Sequence, residues 1–117
     1  MKGDREMREI IEDNLIIIAD HYGLENQLRQ LAEECSELTV EANHSARRGS
    51  VTNRLIEKMV DVEIMIDQVR YLADIKEYDV FETRYWKLKS RVKEIRQETS
   101  NEDMRELQAL LPEEAGR

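Results

Sequence analysis

Apolar residues recur along this chain at alternating spacings of three and four, the period of helices that each bury one face. A first helix is expected from about Asp4 to His21, with Ile10, Ile11, Leu15, Ile18 and Ala19 on its apolar side and Gly23 as its C′ stop. A second runs from about Glu25 to Arg48, where Leu28, Leu31, Cys35, Leu38 and Ala42 keep one stripe for four turns. Arg47 and Arg48 suit the negative end of that helix, and Gly49 closes it. A third opens near Thr52 and sets Leu55, Met59, Val62, Ile66, Val69 and Ala73 at heptad spacing. Asp79 and Glu82 stand at capping-box spacing and start a fourth, through Phe81, Tyr85, Leu88, Val92 and Ile95. A short fifth is expected from Ser100 to Leu111, closed by Pro112 and followed by a frayed tail.

Four main helices on short loops predict an all-α four-helix bundle, with residues 1–97 as the helical domain and 98–117 as a short helix and tail. One Pro and four Gly in 117 residues leave few helix breakers, and 38% charged against 5% aromatic residues fits helices with a modest core. The first and third helices carry more apolar surface than one small bundle hides, so a homo-oligomer, dimer or tetramer, is expected. A structural coiled coil would have the same periodicity, but the breaks at Gly23 and Gly49 argue against one long rod.

Charge narrows the function classes. A net charge of −8 argues against nucleic-acid binding, which needs a basic face. An acidic chain still binds a polyphosphate when metal cations bridge the like charges. The longest apolar run, Leu15 to Ala19, is far short of the roughly 20 residues that span a bilayer, so no membrane is expected as a partner. The opening MKGDREMREI is too charged for a secretory signal, and a cytoplasmic protein is the expectation. Cys35 has no second cysteine to pair with and reads as a small buried thiol.

The chemistry concentrates in acids. Glu33-Glu34-Cys35-Ser36-Glu37 has the form EExxE, with Glu34 and Glu37 one turn apart and Glu41 a turn further. In so acidic a chain such a match has a chance expectation of roughly 0.4, and alone it reads as a solvated face. Its setting raises it, because Leu31 and Leu38 neighbour Glu34 and acids beside a core are costly unless partnered. The third helix offers Glu57 and Asp61, one turn apart, with Gln68 two turns beyond Asp61. Carboxylates from two antiparallel helices are a known way to build a metal site in a bundle.

The segments NQLRQLAEECSEL and, about twenty residues later, LIEKMVDVEIMIDQV resemble the MazG-like all-α nucleotide pyrophosphohydrolases, in particular their short single-domain phage and prophage forms. The resemblance covers about 23–96, including the basic stretch YWKLKSRVKEI. It implies hydrolysis of a nucleoside triphosphate, common or damaged, to the monophosphate and pyrophosphate with Mg²⁺ or Mn²⁺. It further implies Glu34, Glu37 and Asp61 as metal ligands, Gln27 near the nucleotide and Gln68 near the metal or sugar. One position departs from the family's second motif, which carries a ligand glutamate three residues before the aspartate. Lys58 stands there, and Glu57 lies one residue earlier, rotated by about 100°. Either Glu57 reaches in as a substitute ligand, or Lys58 contacts phosphate, or the site is weakened; charge favours the phosphate contact.

Glu33 and Glu37 are the candidates for the general base, and Lys87 and Arg91 for contacts to the triphosphate. Trp86 is an interface residue or a platform for a base, and His21 and His44 lack zinc-site spacing. The rival reading is a non-catalytic helical module that kept the fold and binds nucleotide or a partner, with Lys58 as its best support.

Overall fold

The computed structural model of the chain describes residues 3–111, and all regular structure among them is helical. Three elements follow in order: α1 (Asp4–Arg48), α2 (Asn53–Leu72) and α3 (Glu77–Leu110). The chain divides into two compact units, Met1–Lys76 and Glu77–Arg117.

The first unit holds α1 and α2. Gly23 interrupts α1 with φ 83° and ψ 167°, a conformation essentially confined to glycine, so the expected first and second helices are two segments, 4–22 and 24–48, joined at one residue. Gly49 ends α1 in the left-handed region at φ 72°, and its N–H bonds back to Ser45 and Ala46. Three residues later the Thr52 side chain accepts the Leu55 N–H at 3.1 Å and caps α2. These local signals turn the chain back so that 24–48 and α2 form an antiparallel hairpin. Asp74, in the left-handed region at φ 52°, closes the C-terminal end of α2.

The face on which the hairpin closes differs from the expected one. On α1 the covered row is Gln27, Leu31, Glu34, Leu38, Glu41 and Ser45, at heptad spacing. Leu28 is instead 47% exposed, and Ala42 and Cys35 are exposed, so the thiol is not buried within the chain. On α2 the covered positions include Leu55, Val62, Met65, Gln68 and Leu72, and Lys58 turns inward while Met59 is left 45% exposed. Both stripes are thus rotated by about one residue from the expected ones. Polar side chains occupy the seam because they find ionic or hydrogen-bonding partners across it, which removes the cost of burying them.

The second unit is α3. It opens at Glu77, which places Asp79 inside the first turn and not at the cap. The expected fourth and fifth helices are one, since no Gly or Pro breaks the chain between Glu77 and Leu110. The expected boundary at 97/98 falls inside it. None of its residues is buried. The tail from Pro112 lies outside the described residues.

The sharp turn at residue 23 gives a direct test. A Cβ added to Gly23 meets nothing within 4 Å, so its cost is conformational alone. Gly23→Ala should lower unfolding stability by about 1–3 kcal/mol, measured by urea denaturation. Unchanged stability would show that helix 4–48 accepts a straight path through this position.

Candidate functional site

Four contacts along the hairpin share one register. Gln27 Nε2 donates to Gln68 Oε1, Lys58 Nζ to Glu37 Oε2 at 2.8 Å, and Arg54 Nε to Glu41 Oε1 at 2.8 Å. Ser45 and Thr52 hydroxyls meet at 3.5 Å near the turn. Each step up α1 is matched by a step down α2, so the two helices run past each other without a slip.

At the middle of this ladder the Lys58 ammonium is the focus of three carboxylates. It lies 2.8 Å from Glu37 Oε2, 3.4 Å from Asp61 Oδ2 and 3.9 Å from Glu34 Oε2. Glu34 and Glu37 come from successive turns of α1, Lys58 and Asp61 from successive turns of α2. The Glu34 carboxylate is oriented by Gln30, whose Nε2 donates to Oε1 at 3.0 Å. Its other oxygen, Oε2, is buried without a hydrogen-bond partner. Three carboxylates against one ammonium leave the cluster with a formal charge of −2.

The Lys58 hydrogen bond and charge hold the Glu37 carboxyl below its ordinary value of 4.5. The same bond, with a second to Asp61, pushes Lys58 above its ordinary 10.5. Among the described residues no three of His, Cys, Asp and Glu stand arranged to hold a metal ion, since the carboxylates point at Lys58. The donor set is nonetheless the hard-oxygen kind that Mg²⁺ and Mn²⁺ prefer, and Glu34 Oε2 has an unused acceptor capacity beside it. In the arrangement present, with the Lys58 ammonium among them, these carboxylates do not form a metal-binding group.

Gln27 and Gln68, 5% and 1% exposed, lie at the floor of an open groove of about 670 Å³ that Glu33, Tyr22, Ile18 and Met65 also line. Glu33 therefore faces that groove and takes no part in the Lys58 cluster. Glu57 is exposed and has no place in it either. Lys87 and Arg91 belong to α3, where Arg91 pairs with Glu94 at 2.7 Å and Glu98 at 3.8 Å, contacts that push its pKa up. Trp86 meets Tyr85 edge-on, with the Lys89 ammonium 5.3 Å from the Trp86 ring. A shallow hollow of about 1190 Å³ along this side of α3 is larger than the groove, but it follows one uncovered helix and encloses nothing.

Two functional-looking features escaped the sequence. The Arg54–Glu41 pair, with Glu41 9% exposed, joins residues distant in the chain, and no local pattern marks Arg54. The lining of the groove by Ile18, Tyr22 and Ile64 depends on how segment 4–22 leaves Gly23.

The ion pairs carry a pH signature with a definite sign. A depressed carboxyl pKa stabilises the fold above its unfolded value, and that contribution fades as pH falls through the folded value. A raised lysine pKa stabilises below the ordinary lysine value and is lost as pH rises through the folded one. Both contributions are present between about 4.5 and 10.5. Lys58→Met should therefore lower stability across that window and bring the Glu37 pKa upward in a carboxyl ¹³C NMR titration. The gap to wild type should narrow in more acidic solution, and an unmoved Glu37 titration would refute the coupling.

No protein-family model, no curated protein and no solved structure matches this chain, so a functional reading rests on the chemistry of the Lys58 cluster and the groove beside it.

Proposed function

We propose that the chain is a metal-dependent nucleoside triphosphate pyrophosphohydrolase of the MazG-like kind, releasing a monophosphate and pyrophosphate. One observation carries the proposal: carboxylates from two facing helices converge on a single cation position, and one of their buried oxygens has no hydrogen-bond partner. Bound Mg²⁺ or Mn²⁺ would neutralise triphosphate charge and acidify a bound water. Glu34, Glu37 and Asp61 would hold it. Lys58, released from the carboxylates, then offers its ammonium to a phosphate oxygen, a role suited to a flexible point charge. Either Glu37, in the cluster, or Glu33, on the groove, would accept the proton of an attacking water. The Gln27–Gln68 amide pair at the groove floor supplies neutral donors and acceptors for the nucleoside.

The bundle belongs to the proposal too. Ile56, Met59, Val60 and Ile64 on α2 are each 40% exposed or more, as are Ile11, Ile17 and Ile18 on α1. So much apolar surface on so small a chain favours a homo-oligomer, a dimer or tetramer, in which further helices cover these faces and complete a bundle. A cytoplasmic setting suits a nucleotide substrate; no described helix is long and apolar enough to cross a membrane.

Lys58 also favours a second reading, because an ammonium already meets the acids that a metal would occupy. On that reading the chain is a non-catalytic helical module that binds nucleotide or a partner. Pyrophosphate release across a panel of common and damaged triphosphates, with Mg²⁺ or Mn²⁺ and then with chelator, separates the two. Turnover that chelator stops, and that Glu34→Gln lowers by roughly a hundredfold or more, is the expected result. Absence of turnover with either metal would leave the module.

A further inference from the structure

The two units carry complementary amphipathic faces. On α3 the residues Tyr78, Phe81, Tyr85, Leu88, Val92 and Ile95 repeat at heptad spacing, and all are between 44% and 69% exposed. Basic side chains border this stripe on both sides, Arg84 and Arg91 along one edge, Lys89 and Arg96 along the other. From 84 to 96 the helix carries Arg84, Lys87, Lys89, Arg91, Lys93 and Arg96 against the single acid Glu94. A helix of this kind is not held by its own turns alone and gains its stability from what covers its apolar face.

Segment 4–22 of α1 has the opposite edge. Met7, Ile10 and Ile17, with Asn14 and His21 in the same heptad series, form an exposed row that Ile11 widens. Immediately before its heptad positions stand Glu6, Asp13 and Asp20, an acidic rail along the row. The two rows are of similar length, roughly 22 Å for 7–21 and 27 Å for 78–95 at the helical rise.

Self-pairing of α3 suits these charges poorly. In a parallel pair Arg84 meets Lys89 and Arg91 meets Arg96 of the other helix. In the antiparallel pair that overlaps all six apolar positions Arg84 meets Arg91, with Glu82 against Lys89 as the offset. Against segment 4–22 the count reverses. Antiparallel, Asp13 faces Arg91 and Asp20 faces Arg84 while Glu6 falls opposite Glu98. Parallel, Asp13 and Asp20 face Lys89 and Arg96 while Glu6 falls opposite Glu82, so two opposite-charge pairs outweigh one like pair. The contacts these residues already make, Arg91 with Glu94 and Glu98 and the Tyr71 hydroxyl donating to Asp20 at 3.2 Å, are exposed and cost little to rearrange.

We infer that α3 docks on segment 4–22 of a second copy of this chain, apolar stripe on apolar stripe and basic edge on acidic rail, so that two copies exchange α3 reciprocally. The inference is independent of the catalytic reading and would survive its failure.

Two charge-reversed full-length chains test it. One carries Arg84→Glu, Lys89→Glu, Arg91→Glu and Arg96→Glu; the other carries Asp13→Lys and Asp20→Lys. Mass in solution is read by light scattering, with helical content by circular dichroism as the folding check. Wild type should exceed the 13.9 kDa of one chain at micromolar concentration, and added salt should weaken the association. Each variant alone should associate at least tenfold more weakly. Their mixture should restore a mixed dimer, because both contacts then set opposite charges together. Should either set fail to fold, Arg91→Glu with Asp13→Lys gives the same mixing test at one pair. A monomeric wild type overturns the inference, as does full self-association of the α1 variant, which would assign the contact to α3 pairs or to the hairpins. Failure of the mixture to restore the dimer overturns it, and so does binding of monomeric wild type to vesicles of anionic phospholipid through the α3 bases.

Discussion

An ammonium set among three carboxylates governs how the α1–α2 hairpin closes. The seam contains Glu34, Glu37, Glu41 and Asp61, and two helices could not bring so many like charges together unaided. Lys58 and Arg54 supply the opposing charge from α2, each at 2.8 Å from its nearest acid. The arrangement fixes register more than it adds stability. Greasy ridges tolerate sliding, whereas Gln27 on Gln68, Glu37 on Lys58 and Glu41 on Arg54 hold together in one alignment only. A slip of one turn would leave the Gln27 and Gln68 amides buried without partners and Lys58 away from its acids, which costs far more than the pairs gain when satisfied.

This polar seam inverts the usual arrangement of a helical hairpin. Leu31, Leu38, Val62 and Met65 give it a narrow apolar thread, while much larger apolar groups on the other faces of α1 and α2 meet solvent in the single chain. An inside built for specificity and an outside built for burial divide the labour. The seam positions the acids, while the apolar groups on the other faces remain exposed in the single chain.

The same division explains what the sequence disclosed and what it withheld. Gly23, Gly49 and Thr52 were legible because a left-handed turn and an N-cap are local events that few residue types perform. Helical content was legible for the same reason. Which face turns inward was not. Leu28, Cys35 and Ala42 repeat as regularly as Gln27, Glu34 and Glu41, and periodicity cannot separate a stripe that meets α2 from one left for another partner. The one-residue rotation that put Met59 outside and Lys58 inside has that origin. Ser100 resembled a helix start, yet with no Gly or Pro before it α3 simply continues. Among the candidate site residues, Glu34, Glu37 and Asp61, grouped in the sequence by resemblance, lie around Lys58, whereas Glu57, which spacing paired with Asp61, stays exposed outside the cluster. The Arg54–Glu41 pair spans the hairpin turn and left no local trace.

Lys58 need not oppose the chemistry that its neighbours suggest. A lysine in place of an acid lowers the negative charge of the metal-free cluster from what four carboxylates would impose, so the hairpin can close before any cation arrives. The remaining formal charge of −2 still matches a divalent ion. Were a metal to bind there, ammonium and metal would compete for the same oxygens, and the resting site would be less receptive to metal alone. On the proposed reading a triphosphate would change that balance, bringing its own negative oxygens for Lys58 to meet and for a metal to share. Metal and nucleotide would then bind together more readily than either alone, a coupling that follows from electrostatics without any rearrangement of the helices. If the proposed chemistry holds, Lys58 would set the order in which metal and nucleotide bind.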